Sequence, residues 1–360
     1  MFGTKHYVPI LKWKAAEQTA LEKLGANEKK FISPLIQFVM PQPKRPKEGE
    51  KEKTPEEQLE EVTIKFNEKL PGIPNEILSS WGSSPAFVDF SLIYTPSLRI
   101  ESLKRVLTDG ERLGLFLIPV VNLSSDHEFK KAASVFFKKY RRGLCLRLVH
   151  ADFNIPGKLA EEIQKFLTAV NLFEKEIDLL IDLKTGVDAP PALIDLSRKV
   201  PNLLKWRTFT VASGAFPLDL RDCEIGENYI DRLDWENWIN LINSKKLERS
   251  PSFSDYTIQH PVYKESLLFF SPSASIRYTL EDKWLVMRGQ KGKSKQYLAN
   301  ARLLSQHSQF FGPDFSFGDA FIFEKGKDLK SKKTGNATNW LVAGINHHLV
   351  CTISQIANLP

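Results

Sequence analysis

Short apolar runs, separated by segments of helical spacing, recur along the first 260 residues. They occupy 7–13, 31–40, 87–94, 114–123, 143–149, 177–183, 207–212 and 256–260. Several are apolar at nearly every position, as in Leu115-Phe116-Leu117-Ile118 and Leu179-Leu180-Ile181. A strand covered on one face alternates. A strand covered on both faces has no solvent side and reads as continuous, the mark of parallel strands under helices. Between the runs, 15–24, 159–173 and 233–246 place apolar residues three and four apart, as covering helices require. Eight strand–helix beats in about 260 residues match a (β/α)8 barrel. A doubly wound open sheet is the competing arrangement. No GxGxxG follows the first run, which counts against its dinucleotide-binding form.

Two regions depart from this beat. Residues 41–62 carry Pro41, Pro43, Pro46 and Pro55 among five Lys/Arg and seven Asp/Glu, a mixed-sign solvated insertion. A helix is expected to start at Thr54-Pro55, since proline suits a first helical turn. After residue 260 the pattern predicts strands at 275–280 and 284–288 joined by a tight turn. A helix at 294–309, a strand at 317–323 and a final helix at 338–359 follow. The expected fold is therefore α/β: a TIM-like (β/α)8 barrel over 1–262 and an α+β C-terminal extension over 263–360 packed on it.

Composition narrows the class. Hydrophobic residues make up 42% and charged residues 26% of 360, enough for a packed core and against a disordered or coiled-coil chain. Cys145, Cys223 and Cys351 lie far apart without a CxxC pair, so reduced thiols in a cytoplasmic protein are expected. No signal-peptide run opens the chain, and the apolar run at 340–353 is too short to span a bilayer, so no membrane association is expected. The formal net charge of +7 resides in one place. Residues 283–333 hold 11 Lys/Arg against 4 Asp/Glu, and no charged side chain follows Lys333. This basic stretch could meet nucleic acid or a phosphorylated ligand, or could be an ordinary solvated surface.

In α/β barrels the functional groups stand at the C-terminal ends of the strands. Those ends carry Lys12, Lys14, Asp89, Asn122, Arg147, Asp152, Asp182, Lys184 and Ser213-Gly214. Carboxylates can hold a metal or move protons, and Arg and Lys can hold an anion. Arg147 and Asp182 interrupt apolar strands, where an unpaired charge is costly. They are either functional or an internal ion pair. His347 and His348, adjacent on a helix, point about 100° apart and cannot easily share one metal, so one buried and one surface imidazole are expected. No GxSxG elbow frames Ser213. Trp235 and Trp238 read as helix packing.

Taken in order, these residues resemble the beta-protein family, named for a beta protein of a satellite phage, over nearly the whole chain. The resemblance runs through Val8-Pro9-Ile10-Leu11-Lys12, Pro34-Leu35-Ile36, Val88-Asp89, Ile118-Pro119-Val120, Leu146-Arg147-Leu148 and Leu180-Ile181-Asp182-Leu183. It continues through Ser213-Gly214-Ala215-Phe216-Pro217, Asp255-Tyr256-Thr257-Ile258-Gln259-His260-Pro261, Ile276-Arg277-Tyr278-Thr279, Trp284 and Arg288-Gly289. It ends with Phe317-Gly318-Asp319, Gly335-Asn336, Trp340 and Asn346-His347-His348-Leu349. Gln37 stands where the family usually has Glu. The resemblance implies a phage-defence or phage-exclusion component working with a partner encoded nearby. It also implies one site made of Lys12, Asp89, Arg147, Asp182, Asp255, His260, Arg277, Tyr278, Arg288, His347 and His348. Two other readings stand beside it. One is a metal-assisted hydrolase of a phosphorylated, nucleotide or nucleic-acid substrate, with Asp89 and Asp182 catalytic and Arg147, Arg277 and Arg288 on phosphate. The other is a nucleic-acid binder using 283–333.

Overall fold

A computed structural model describes residues 3–43, 53–154, 157–186, 190–263 and 273–359. Its centre is eight parallel strands: β1 Ile10–Lys12, β2 Leu35–Gln37, β3 Ala86–Asp89, β4 Leu117–Asn122, β5 Leu144–Val149, β6 Ile177–Asp182, β7 Thr208–Ala212 and, after an intervening strand β8 (Gly226–Asp231), β9 Ser252–Ser254. They pair in the order β1-β2-β3-β4-β5-β6-β7-β9. The ring is drawn shut by a parallel bridge between Tyr7 and Phe253, with the Val8 and Ile10 amides donating to the carbonyls of Phe253 and Asp255 at 2.9 and 2.8 Å. The apolar side chains divide as a two-residue period demands. Val8, Ile10, Leu35, Phe87, Ile118, Val120, Cys145, Leu180 and Ala212 form one buried cluster, distinct from the larger one under the helices.

Eight helices follow the strands: α1 Ala15–Glu22, α2 Pro55–Lys69, α3 Ile73–Ser80, α4 Pro96–Arg112, α5 His127–Tyr140, α6 Lys158–Val170, α7 Pro190–Arg198 and α8 Leu233–Asn243. Each turns an apolar stripe to the ring, as α6 does with Leu159, Ile163, Phe166, Leu167 and Val170. The helix expected at Thr54-Pro55 begins there. The Thr54 hydroxyl accepts from the Glu57 amide, and the Glu57 carboxylate accepts from the Thr54 amide. Part of the charged insertion expected over 41–62, namely 44–52, lies outside the described residues.

The extension holds the hairpin β10 (Ile276–Thr279) and β11 (Lys283–Arg288), then α9 Gln296–Ser305, α10 Phe317–Lys327 and α11 Ala337–Ala357. β8 pairs antiparallel with β11, so a strand from within the barrel segment joins the extension's sheet. α11 lies between the barrel and this sheet. Asn346 donates to the Ala20 carbonyl of α1 at 3.1 Å, and the same side chain accepts from the Gly318 amide of α10.

Two expectations about elements need correction. The eighth barrel strand is not 256–260 but β9, and 256–260 is the loop that follows it, with Thr257 at a left-handed φ of 58°. Ser252 and Ser254 look too polar for a barrel strand, yet their hydroxyls donate to the carbonyls of Gly3 and Val8 and are thereby satisfied when buried. Residues 317–323 form the first turns of helix α10, not a strand. Ser316 caps that helix by accepting from the Asp319 amide. The strand β8 is absent from the apolar pattern because its exposure alternates at the surface.

Candidate functional site

The inward positions at the C-terminal ends of neighbouring strands are polar. Lys12, Gln37 and Asp89 lie in register across β1, β2 and β3. Arg147 on β5 is the centre of a closed network. Its Nε donates to Asp182 at 2.8 Å, Nη2 donates to Asp182 and to the Tyr256 hydroxyl, and Nη1 donates to Asp89. The Tyr256 hydroxyl donates to Asp182 at 2.7 Å, and the Gln37 amide donates to Asp89 at 2.9 Å. Asp89 also accepts from the amide and hydroxyl of Ser91, and Asp182 from the Lys184 amide. Asp89, Arg147 and Asp182 are at most 3% exposed. Burial works against the guanidinium, but Asp182, Tyr256 and Asp89 more than reverse it and hold Arg147 well above its usual range. Gln37 has a local reason: its N–H binds Asp89, where a glutamate would add a third carboxylate to a network with one guanidinium.

Above this network lies a cavity of about 600 Å³, walled by the barrel mouth on one side and the extension on the other. Its charged lining is Lys12, Arg221, Arg277, Arg288 and Lys291 against Asp219. Asp219 pairs with Arg221 at 3.2 Å. Lys12, 3% exposed, sits 5.0 Å over the Tyr256 ring and donates to the His260 carbonyl at 2.9 Å. Arg277 sits 4.8 Å over the Phe216 ring and donates to the Ile258 carbonyl at 2.7 Å. Neither cation has a carboxylate within ion-pair distance among the described residues. Burial accordingly pulls Lys12 down to about 8 and Arg277 down to about 10. Arg288 donates to the carbonyls of Arg221 and Cys223. The apolar part of the wall includes Ile258, Leu341 and the stacked pair Tyr297–Trp340, 4.9 Å apart. The Tyr263 hydroxyl is buried at this wall with no hydrogen-bond partner among the described residues.

A second polar line runs behind the cavity along α11. His348 contacts Asp255 at 2.8 Å and the Thr279 hydroxyl at 2.8 Å, while the Tyr7 hydroxyl donates to Asp255 at 2.5 Å. His347 contacts Asp319 and the Thr279 carbonyl, each at 2.8 Å, and Tyr278 stacks on its ring at 3.8 Å while donating to Asp319. Both imidazoles are fully buried, which corrects the expectation of one at the surface. The reason is that α11 is covered on two sides, so residues 100° apart meet two different walls.

The residues expected to form one site are thus divided. Lys12, His260, Arg277 and Arg288 line the cavity, and Asp89, Arg147 and Asp182 lie beneath it. Asp255, Tyr278, His347 and His348 belong to the buried line. Ser213, 9% exposed, ends β7, where its amide donates to Ser254. Tyr256, which joins the network to Lys12, lies in the loop after β9, inside a segment whose apolar pattern suggests a strand and so hides its role. Arg221, Tyr263 and Trp340 carried no local signal for the cavity.

A family model described as Beta protein matches residues 7–354. The chain belongs to the Beta protein family. No curated protein matches it. Among solved structures, the C-terminal domain of a "putative chitinase" from Desulfitobacterium hafniense aligns over 98% of this chain and 99% of its own. Its identity is 10% and its TM-score 0.27, a likeness that carries no argument about fold or activity. The family match spans the barrel, the cavity lining and the line along α11 together, so both parts of the site fall within one family unit. Among the described residues no helix is long and apolar enough to cross a membrane.

Proposed function

We propose that this Beta protein family member is a recognition protein whose barrel mouth binds a phosphate-bearing small ligand, and that it works with a partner in antiphage defence. One observation carries the ligand reading: buried Lys12 and half-buried Arg277 stand in the wall of a cavity of about 600 Å³ with no carboxylate within ion-pair distance among the described residues. A buried cation held without a counter-charge is destabilising unless an anion completes it. A cavity of this size suits a small molecule. The setting in phage defence and the partner rest on the family resemblance.

The geometry supports recognition over carboxylate chemistry. Asp89 and Asp182, the groups a metal-assisted hydrolase would use, already accept from Arg147, Tyr256, Gln37 and Ser91. It also supports the cavity over a nucleic-acid face at 283–333. Arg288 and Lys291 turn to the cavity, Lys283 pairs with Asp231, Lys327 pairs with Glu324, and Arg302 donates to the Gly326 and Lys327 carbonyls. Titration calorimetry with inorganic phosphate and with ATP tests the reading. Binding should weaken at least tenfold in Arg277→Gln and stay unchanged on charge reversal at Lys293 and Lys295. The opposite pattern would favour the nucleic-acid face. For the partner, plaque counts in cells carrying the gene with its neighbours should rise when Arg277→Gln is introduced, and the neighbour's product should co-purify.

A further inference from the structure

Lys12 differs from the other cations of the cavity in what surrounds its nitrogen. An ammonium has three N–H donors. Among the described residues only the His260 carbonyl accepts from Lys12. Below it lies a tyrosine ring, and the nearby charges include the repelling Lys14 and Arg147, which oppose the attraction of Glu17 and Asp182. Desolvation beside other cations is how an amine is made a nucleophile, because the neutral form is then within reach. With Lys12 at about 8, roughly a tenth of the amine is neutral at pH 7, against about one part in a few thousand for an exposed lysine. The same cavity carries Arg277 and Arg288, whose guanidinium groups suit a phosphate or carboxylate.

We propose that Lys12 Nζ forms a reversible imine with an aldehyde or ketone whose anionic group is held by Arg277 and Arg288; this rests on the anion-binding reading and narrows it to carbonyl compounds. The ammonium first releases a proton to solvent. The nitrogen lone pair then forms the C–N bond as the C=O π bond opens onto oxygen, and a proton passes from nitrogen to that oxygen to give a neutral carbinolamine. Loss of that hydroxyl with a second proton, as water, leaves the imine. No oxidant or reductant takes part, and hydrolysis returns both partners.

Pyridoxal 5′-phosphate serves as the probe, with borohydride reduction of the full chain and peptide mass spectrometry. A reduced adduct should appear at Lys12 at least tenfold above that at the exposed Lys14, and inorganic phosphate should suppress it. Pyridoxal without the phosphate should label Lys12 at least tenfold less. Lys12→Arg keeps the cation and should abolish the adduct, while Lys14→Arg should leave it intact. Labelling spread evenly over surface lysines, or a Lys12 adduct indifferent to phosphate, would overturn the proposal. Phosphate calorimetry on the same samples separates the two ideas. Phosphate binding without a Lys12 adduct refutes the imine alone, and absence of phosphate binding refutes the recognition reading as well.

Discussion

Replacing Arg147 by methionine isolates the network beneath the cavity. The guanidinium donates to Asp89, to Asp182 twice and to Tyr256, all within the barrel. Methionine fills most of the volume but removes the charge. Two carboxylates at 2% and 0% exposure are then left with hydrogen bonds from Gln37, Ser91, Lys184 and Tyr256 and, among the described residues, no ion-pair partner. Removing one partner of a buried pair costs about 3–5 kcal/mol, most of it for the charge left behind. Urea unfolding followed by tryptophan fluorescence should show a deficit of about 3–5 kcal/mol at pH 7.5. The triple variant Asp89→Asn, Arg147→Met, Asp182→Asn should recover most of it. An Arg147→Met protein as stable as the parent, or a triple variant no more stable than Arg147→Met, would refute the assignment of these groups to an internal ion network.

Other outcomes follow from the same structure. Sulfate, which does not titrate near neutrality, should bind with constant affinity below pH 7 and progressively more weakly as pH rises through about 8, where free Lys12 loses its proton; calorimetry in buffers of different ionisation heat should detect proton uptake on binding near pH 8.5. Burial and the neighbouring Asp255 push Asp234 up to about 7, so the folded state keeps a proton that the unfolded state releases near 4. Its contribution is therefore present below about pH 4 and lost as pH rises through about 7, by at most about 4 kcal/mol, and Asp234→Asn should flatten that fall in urea midpoints measured from pH 5 to 8. Gly318→Ala would place a Cβ 2.1 Å from the Ala343 carbonyl of α11, so α10 and α11 must separate, and unfolding should show a loss of about 1–3 kcal/mol.

Much of the barrel was legible because a parallel strand buried on both faces needs apolar residues at nearly every position, and seven such runs coincide with strands. The eighth was not, because Ser252 and Ser254 are tolerated in the interior only through acceptors at Gly3 and Val8, about 250 residues away in the chain. α10 was misread because Phe317, Phe321 and Phe323 imitate a two-residue period. The spacing of Ser316 and Asp319 at its start was the local cap signal that could have corrected it. Arg147 and Asp182 were conspicuous as charges inside apolar strands. That they close on Asp89 and Tyr256 could not be read, since the four come from three strands and a loop.

The sequence by itself determined the α/β class, the eightfold beat, the helix starting at Pro55 and the placement of the whole net charge within 283–333. These depend on local periodicity and composition, which a linear chain records. Only the tertiary structure decided which charges are spent and which remain. Asp89 and Asp182 were paired with Arg147, and His347 and His348 were consumed by Asp319 and Asp255, whereas Lys12 and Arg277 were brought to one cavity with no carboxylate within ion-pair distance among the described residues. The difference is physical. Whether a side chain is apolar is a property of its own position, but whether a charge is compensated depends on partners that only ring closure and the packing of the extension bring within a few ångströms.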